Sequence, residues 1–145
     1  MTESDLIYAA ATVDCEGTIT IVKHLSTHGK GGISWYRLHV AVEMTSLEIP
    51  WWLHNTFGGS FKCYPAYNNP TKHKGTFIWY MDGGKAVYFI FLIQPYLKLK
   101  MQQAQVAIKF QESKESRQGI RTTELERDKQ EHYRNEMTKL NKRGV

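Results

Sequence analysis

The chain has 145 residues, of which 41% are hydrophobic, and four of its residues are tryptophans. This length suits one domain with its own core, and this composition excludes an intrinsically disordered chain. The formal net charge of +5 favours an anionic partner.

The first predicted element is a helix over residues 5–14, which Ser4 can cap. It contains three consecutive alanines, residues 9–11, and small side chains let a second helix approach closely. Glu16 follows at the helix end, and Gly17 then turns the chain into an alternating strand. Two such helices in contact would place a second carboxylate beside Glu16. Paired carboxylates of this kind can hold divalent metal ions for phosphodiester hydrolysis.

The next two elements are strands over residues 18–24 and 35–44, in which apolar and polar residues alternate. They predict a hairpin with one buried face, carried by Ile19, Ile21, Leu38, Val40, Val42 and Met44. The opposite face is polar and aromatic. Between residues 18 and 81 there are six basic and two acidic side chains, as expected for a sheet that meets phosphates.

The middle of the chain predicts a helix over residues 48–57, capped by Thr45 or Ser46 and ended by a glycine pair. Strands over 60–64 and 76–81 follow, joined by a loop rich in Pro, Asn and Lys. The longest apolar run, 86–93, is far shorter than the about 20 residues that span a bilayer, so we expect a buried helix and no membrane partner.

The last part of the chain predicts a helix that starts at Pro95 and a polar linker over residues 113–119. A capping box from Thr123 to Glu126 then opens a charged helix. We find no internal repeat. Cys15 and Cys63 show neither zinc-site nor disulfide spacing, which favours a reducing, intracellular setting without a visible targeting signal and leaves the compartment open.

Several motifs together resemble one family. Residues 9–17, AAATVDCEG, resemble the LAGLIDADG motif of homing endonucleases, with Asp14, Glu16 and Gly17 in register. Residues 93–104 are similar to the segment that family members carry after the sheet, with a proline, a leucine and a lysine in this order. The patterns over 45–59 and 140–144 are similar as well, so the resemblance covers nearly the whole chain.

The resemblance implies an α+β fold, namely the αββαββα LAGLIDADG domain with a curved four-stranded antiparallel sheet and C-terminal helices. We assign residues 1–112 to the endonuclease core and residues 113–145 to a charged helical extension of the same domain.

The resemblance also implies an active site. Glu16 stands where the family has its metal-binding acid, and the peptide carbonyl of Cys15 is a further metal ligand. Lys100 matches the lysine near the scissile phosphate, and Ser46 the polar residue that positions water. Pro50 replaces a basic residue of some relatives, and glutamate at 16 is one methylene longer than the commoner aspartate. The implied metal is Mg²⁺, or Mn²⁺, or Ca²⁺ in non-cleaving complexes, with no small-molecule cofactor.

Each of these residues also has a purely structural interpretation. Glu16 can be a solvated acid at a helix end, and Lys100 an exposed helix lysine. Ser46 can be a helix N-cap, and the basic residues of the second strand can form a solvated sheet face.

The implied function is a site-specific endonuclease that cuts double-stranded DNA as a homodimer, at a long pseudo-palindromic site. The predicted DNA contacts are Thr20, Val22, His24, Arg37, His39, Ala41, Glu43, Lys62, Tyr64, Lys72, Lys74 and Trp79, and the predicted dimer contacts are Ala9, Ala10, Ala11, Val13 and Asp14. The alternative is a non-cleaving LAGLIDADG nucleic-acid binder, such as an intron RNA maturase or a DNA-binding regulator. The presence of Glu16 and Lys100 favours the nuclease. The sequence does not give the target site, the host gene or the source.

Overall fold

The computed structural model describes residues 1–25, 34–65, 75–114 and 122–142. The elements follow in the order α1 (Glu3–Glu16), β1 (Gly17–Leu25), β2 (Ser34–Met44), α2 (Glu48–Phe57), β3 (Ser60–Tyr64), β4 (Thr76–Asp82), α3 (Gly83–Ile93), a 3₁₀ turn (Gln94–Tyr96), α4 (Met101–Ser113) and α5 (Glu124–Leu140). None of the described helices is long and apolar enough to span a bilayer.

The strands form one antiparallel sheet in the order β1-β2-β4-β3. Its inner face carries the apolar residues of the alternating pattern and packs against the helices in one buried cluster, with Ile19, Leu38 and Val40 fully buried. The predicted faces of β1 and β2 and the α+β architecture with a four-stranded antiparallel sheet are therefore confirmed. The face turned away from the helices is called the outer face below.

The capping residues predicted for two helices are wrong. Thr2, and not Ser4, caps α1, because the Thr2 hydroxyl accepts from the Asp5 amide at 3.2 Å while the Asp5 carboxylate accepts from the Thr2 amide at 2.8 Å. This reciprocal pair satisfies two amides that a helix start otherwise leaves open. At α2 the capping residue is Leu47, which makes no side-chain bond, so neither Thr45 nor Ser46 is the cap.

The start predicted for α4, Pro95, is also wrong, although a helix does follow. The chain makes a 3₁₀ turn over Gln94–Tyr96, becomes extended at Leu97 and begins α4 only at Met101. Residues 98–100 bend because their amides bond to a distant carboxylate rather than to helix carbonyls. That contact belongs to the site described below.

Helix α5 packs against α4 and β1, and its Met137 belongs to the buried cluster. Thr123 caps it as predicted, accepting from the Glu126 amide at 3.2 Å. The Tyr36 hydroxyl donates to Glu131, and Lys23 pairs with the same carboxylate at 3.2 Å. These contacts attach α5 to both strands of the first hairpin.

Candidate functional site

The end of α1 is joined to the start of α4 through Asp14, which is buried. Its carboxylate accepts from the amides of Lys98, Leu99 and Lys100 at 2.7, 3.1 and 2.9 Å. The Lys100 ammonium in turn donates to the Asp14 carbonyl at 2.5 Å. Charge-assisted bonds to backbone amides are among the stronger hydrogen bonds in proteins. Asp14 therefore fixes the position of Lys100 beside the C-terminal end of α1.

Gly17 is required where α1 passes into β1. Its amide donates to the Val13 carbonyl, so the chain leaves the helix while still in contact with its last turn. A Cβ at this position would lie 2.7 Å from the Val13 Cα, closer than van der Waals contact allows. The absence of a side chain thus permits the turn that sets Glu16 at the junction.

A cleft of about 320 Å³ opens at this junction. The residues that line it come from the end of α1, the start of β1, the α4 region and the end of α5: Cys15, Glu16, Gly17, Thr18, Leu99, Lys100, Gln103, Leu140, Asn141 and Lys142. The structure therefore brings Glu16, Cys15 and Lys100 together, as predicted for one site. Ser46 is exposed ahead of α2 and does not line this cleft.

Sequence reasoning missed the part of the cleft that α5 supplies. The Asn141 amide donates to the Ile19 carbonyl at 2.8 Å, and the Gln103 amide donates to the Leu140 carbonyl at 3.3 Å. These bonds hold the end of α5 against β1 and α4, where Lys142 adds a second cation to the wall. The similarity of residues 140–144 to the family ending was the signal that could have found them.

The donor set of the cleft fits a hard divalent cation. The exposed Glu16 carboxylate and the carbonyl at Cys15 are oxygen donors on successive residues. Within the described residues no three His, Cys, Asp or Glu side chains form a metal cluster. Mg²⁺ is usually held by one or two carboxylates together with substrate phosphates rather than by a full protein cage. One carboxylate per chain is therefore compatible with a metal shared with a nucleic-acid phosphate.

The predicted dimer surface on α1 needs correction. Ala9, Ala10 and Val13 are 0% exposed, and Asp14 is 8% exposed, because they pack within the chain. Successive residues of an α-helix lie about 100° apart, so three adjacent alanines cannot share one face. The face left open carries Ile7, Tyr8, Ala11 and Cys15, of which only Ala11 was predicted as a dimer contact.

The strand register places most of the predicted DNA contacts on the outer face. These are Thr20, Val22, His24, Arg37, His39, Ala41, Glu43, Lys62 and Tyr64. Trp79 is the exception, since it is 0% exposed on the inner face and its indole donates to the Gly58 carbonyl at 2.7 Å. Its side chain is core, so the prediction of a DNA contact at Trp79 is corrected. Lys72 and Lys74 lie outside the described residues.

The neighbours of Trp79, not Trp79 itself, face outward on β4. Ser60, Thr76, Ile78, Tyr80 and Asp82 also lie on the outer face and were not predicted as DNA contacts. The alternation along β4 was the available signal. The apolar Trp79 and Met81 alternate with the polar Tyr80 and Asp82, which predicts that the first pair faces the core and the second pair faces outward. The Lys62 ammonium lies 5.3 Å from the Tyr80 ring centroid, and bonding to Lys62 lowers the pKa of the Tyr80 hydroxyl.

Aromatic and charged groups are in contact along the outer face of β2. The His24 and Trp35 rings are stacked with centroids 4.1 Å apart, and the Arg37 guanidinium lies 5.7 Å from the Trp35 ring. Glu43 accepts from the Thr76 hydroxyl at 2.9 Å. The face therefore offers both donors and acceptors, which reading base edges requires.

This order of helices and strands around one antiparallel sheet is the LAGLIDADG homing-endonuclease fold, so the fold implied by the sequence resemblance is confirmed. The homing endonuclease I-CvuI, crystallised with a DNA target in the presence of Mg, matches at a TM-score of 0.77 and 15% identity, over 99% of this chain and 87% of that one. The archaeal intron-encoded homing endonuclease I-Vdi141I, complexed with DNA, matches at 0.75 and 13% identity, over 99% and 87% of the two chains.

A third match is the LAGLIDADG homing endonuclease I-GzeII with its DNA target, at a TM-score of 0.64 and 14% identity, over 89% of this chain and 43% of that chain. No protein-family model matches the sequence, and no curated protein matches it either. At these identities the likeness establishes the fold.

Proposed function

We propose that this protein is a site-specific DNA endonuclease that acts as a homodimer and requires a divalent metal ion. The observation that carries the proposal is the shared cleft of Glu16 and Lys100, set at the end of α1 where β1 begins the outer face. Two solved proteins of the same fold, I-CvuI and I-Vdi141I, are homing endonucleases in complex with DNA. If Glu16 were only a solvated acid at a helix end, no nearby lysine would have to be held in place. Here the buried Asp14 fixes Lys100 in the same cleft as Glu16.

The proposed homodimer is argued from the number of metal-binding carboxylates in one chain. One chain supplies one Glu16, whereas cutting both strands of a duplex needs two sites. The open face of α1 offers room for a close helix contact at Ala11, whose side chain is small and exposed. A two-fold axis through this face would bring the two Glu16 residues near each other and favour a roughly palindromic target.

The residues of the cleft have distinct roles in hydrolysis. Glu16 and the Cys15 carbonyl would hold Mg²⁺, which when bound lowers the pKa of water and stabilises charge on the phosphate. Lys100, fixed by Asp14, places an ammonium where negative charge develops on the phosphate oxygens. Lys142, at the end of α5, adds a second cation to the lining of the cleft. Ser46 remains a prediction from the resemblance, as the residue that positions water.

DNA binding would use the outer face. Side chains of β1, β2, β3 and β4 would read base edges in the major groove, while Lys62 and the predicted loop lysines, Lys72 and Lys74, would contact phosphates. The six basic against two acidic residues between positions 18 and 81, three of the bases in the loops between strands, support this assignment.

The test is cleavage of a library of randomised duplexes with Mg²⁺. Wild type should enrich cut products at one site, and Glu16→Gln should abolish cutting while its affinity for that site stays within a few-fold. Glu124→Gln, an exposed acid in the first turn of α5, is the control and should cut normally. Wild-type rates in Glu16→Gln would refute the metal assignment. Sequence-specific binding without any cutting would instead establish the non-cleaving alternative.

A further inference from the structure

Asp82 is the last residue of β4, on the outer face directly opposite His39 of β2. Its Oδ1 lies 2.7 Å from the His39 Nδ1 and 3.4 Å from the Arg37 Nε. Asp82 thus contacts two of the side chains predicted to touch bases. No local pattern in the sequence singles out Asp82, because its contacts join residues more than about forty positions apart.

The contact with Asp82 decides which nitrogen of His39 carries the proton. A carboxylate can only accept hydrogen bonds, so the Nδ1 of His39 must be the donor. In the neutral ring the Nε2 is then an acceptor. Among the described residues the Nε2 has no hydrogen-bond partner and is not buried, so its lone pair is available to a ligand on the outer face.

The same carboxylate orients Arg37. The Arg37 Nε is buried and makes no hydrogen bond within the described residues, yet it pairs with Asp82 by charge. The guanidinium carbon also lies 5.7 Å from the centroid of the Trp35 ring. Because the Nε is turned inward, the two terminal nitrogens are the part of the fork left to meet a ligand. Such a fork matches the two acceptors of guanine in the major groove.

We infer that Asp82 is a positioning residue that sets the base preference of this end of the outer face. Through Asp82, Arg37 selects guanine, and the Nε2 of His39, in the neutral form of the ring, selects a base that presents an exocyclic amine in the major groove, adenine or cytosine. The inference rests on the proposed DNA-binding function. Asp82 itself touches no base.

The first test is the tautomer of His39 in the free protein, measured by nitrogen NMR of the imidazole at mildly alkaline pH. Wild type should show the Nδ1–H form. Asp82→Ala should shift His39 toward the Nε2–H form that free histidine prefers. The variant should fold, because Asp82 makes no side-chain capping bond to α3, and Asp82→Asn offers an isosteric second variant. Glu43→Gln, another carboxylate of the outer face that bonds to Thr76, is the control and should leave His39 unchanged.

The second test is selection of bound duplexes from a randomised pool. Asp82→Ala should lower the preference for guanine at one position, and for adenine or cytosine at another, by about ten-fold, the order expected for a good base contact. Affinity for mixed DNA should stay the same or rise slightly, because a negative charge leaves the binding face. Glu124→Gln, an exposed acid in the first turn of α5, is the control for this selection and should leave these two positions unchanged.

The outcomes separate the inference from the proposed function. An Nε2–H form in wild type, or one tautomer in both wild type and Asp82→Ala, overturns the inference whether or not DNA binds. A wild type that selects a sequence which Asp82→Ala selects equally overturns the inference alone. A wild type that selects no sequence overturns the base assignment and the proposed function together, while the tautomer measurement still decides the role of Asp82 at His39.

Discussion

Asp14 shows how one side chain sets the geometry of the candidate site. It was predicted to lie at a dimer contact, yet its carboxylate bonds to three amides of its own chain, and its carbonyl accepts from Lys100. The residue therefore supports the fold and the position of the ammonium at once. A substitution there should reveal both effects.

Asp14→Asn should lower both stability and cleavage. The amide keeps one acceptor oxygen but turns an NH₂ group toward the donors, and an unsatisfied buried donor costs about 1–3 kcal/mol. We expect a loss of that size in the free energy of unfolding from urea denaturation. A fall in the cleavage rate should accompany it, because Lys100 is no longer fixed. Asp128→Asn, an exposed acid of α5, is the matched control. A variant with wild-type stability would contradict the anchoring role.

At the scale of elements, α1 has one face packed in the core and one open face. The adjacent residues Ala10 and Ala11 lie on different faces, so substitutions at the two positions test the two faces separately. Ala10→Leu should destabilise the fold by about 1–3 kcal/mol, because it overpacks a filled core. Ala11→Leu should leave the fold intact and weaken association, because Ala11 lies on the open face. Circular dichroism and sedimentation equilibrium measure the two effects. If Ala11→Leu associated as tightly as wild type, this face would not be the dimer contact.

Helix α5 is tied to the hairpin by a titratable group. The hydrogen bond from Tyr36, followed by Lys23 and Arg134, holds the pKa of Glu131 below its ordinary value, against the opposing effect of burial. Burial, and then the bond to Glu131, raises the pKa of Tyr36. A lowered carboxyl pKa stabilises the folded state above the ordinary value of about 4.3, and this contribution is lost as pH falls through the folded pKa.

Glu131→Gln should therefore unfold more easily than wild type at neutral pH, and the difference should shrink as the pH falls below 4. Urea denaturation over a pH series measures this directly. Glu112→Gln, an exposed acid on α4, should show no such dependence. A difference that stayed constant with pH would mean that the Glu131 charge does not hold α5.

At the scale of the whole molecule, the net charge of +5 makes DNA affinity depend on salt concentration. Measuring this dependence also tests the proposed two-fold assembly. Each neutralised phosphate of duplex DNA contributes about 0.9 to the slope of log affinity against log salt. If Lys72 contacts a phosphate in both subunits, Lys72→Ala should reduce the slope by about 1.8, and in a monomer by about 0.9. Base preference should not change.

Lys109→Ala supplies the comparison, since this exposed lysine lies on α4, on the helix side of the sheet. It should leave the slope as in wild type. An unchanged slope for Lys72→Ala, together with altered base preference, would reassign Lys72 from phosphate to base contact.

The sequence alone determined the features that depend on near neighbours along the chain. The alternation of Ile19, Leu38 and Val40 fixed the faces of the first hairpin, because side chains of a strand point to opposite sides in turn. The Thr123 cap was equally local. Glu16 followed by Gly17 indicated the end of the first helix. The motif over residues 93–104 indicated Lys100, so these two cleft residues could be named from the sequence.

Only the tertiary structure decided the features that depend on distant segments meeting. The phase of α1 put Ala10 inside and Ala11 outside. The partners of Asp14 and Asp82 lie in other elements of the chain. The physical reason is that the local sequence specifies which side chains a helix or strand carries and how they alternate. Their hydrogen-bond partners and their burial depend on which other elements pack against them.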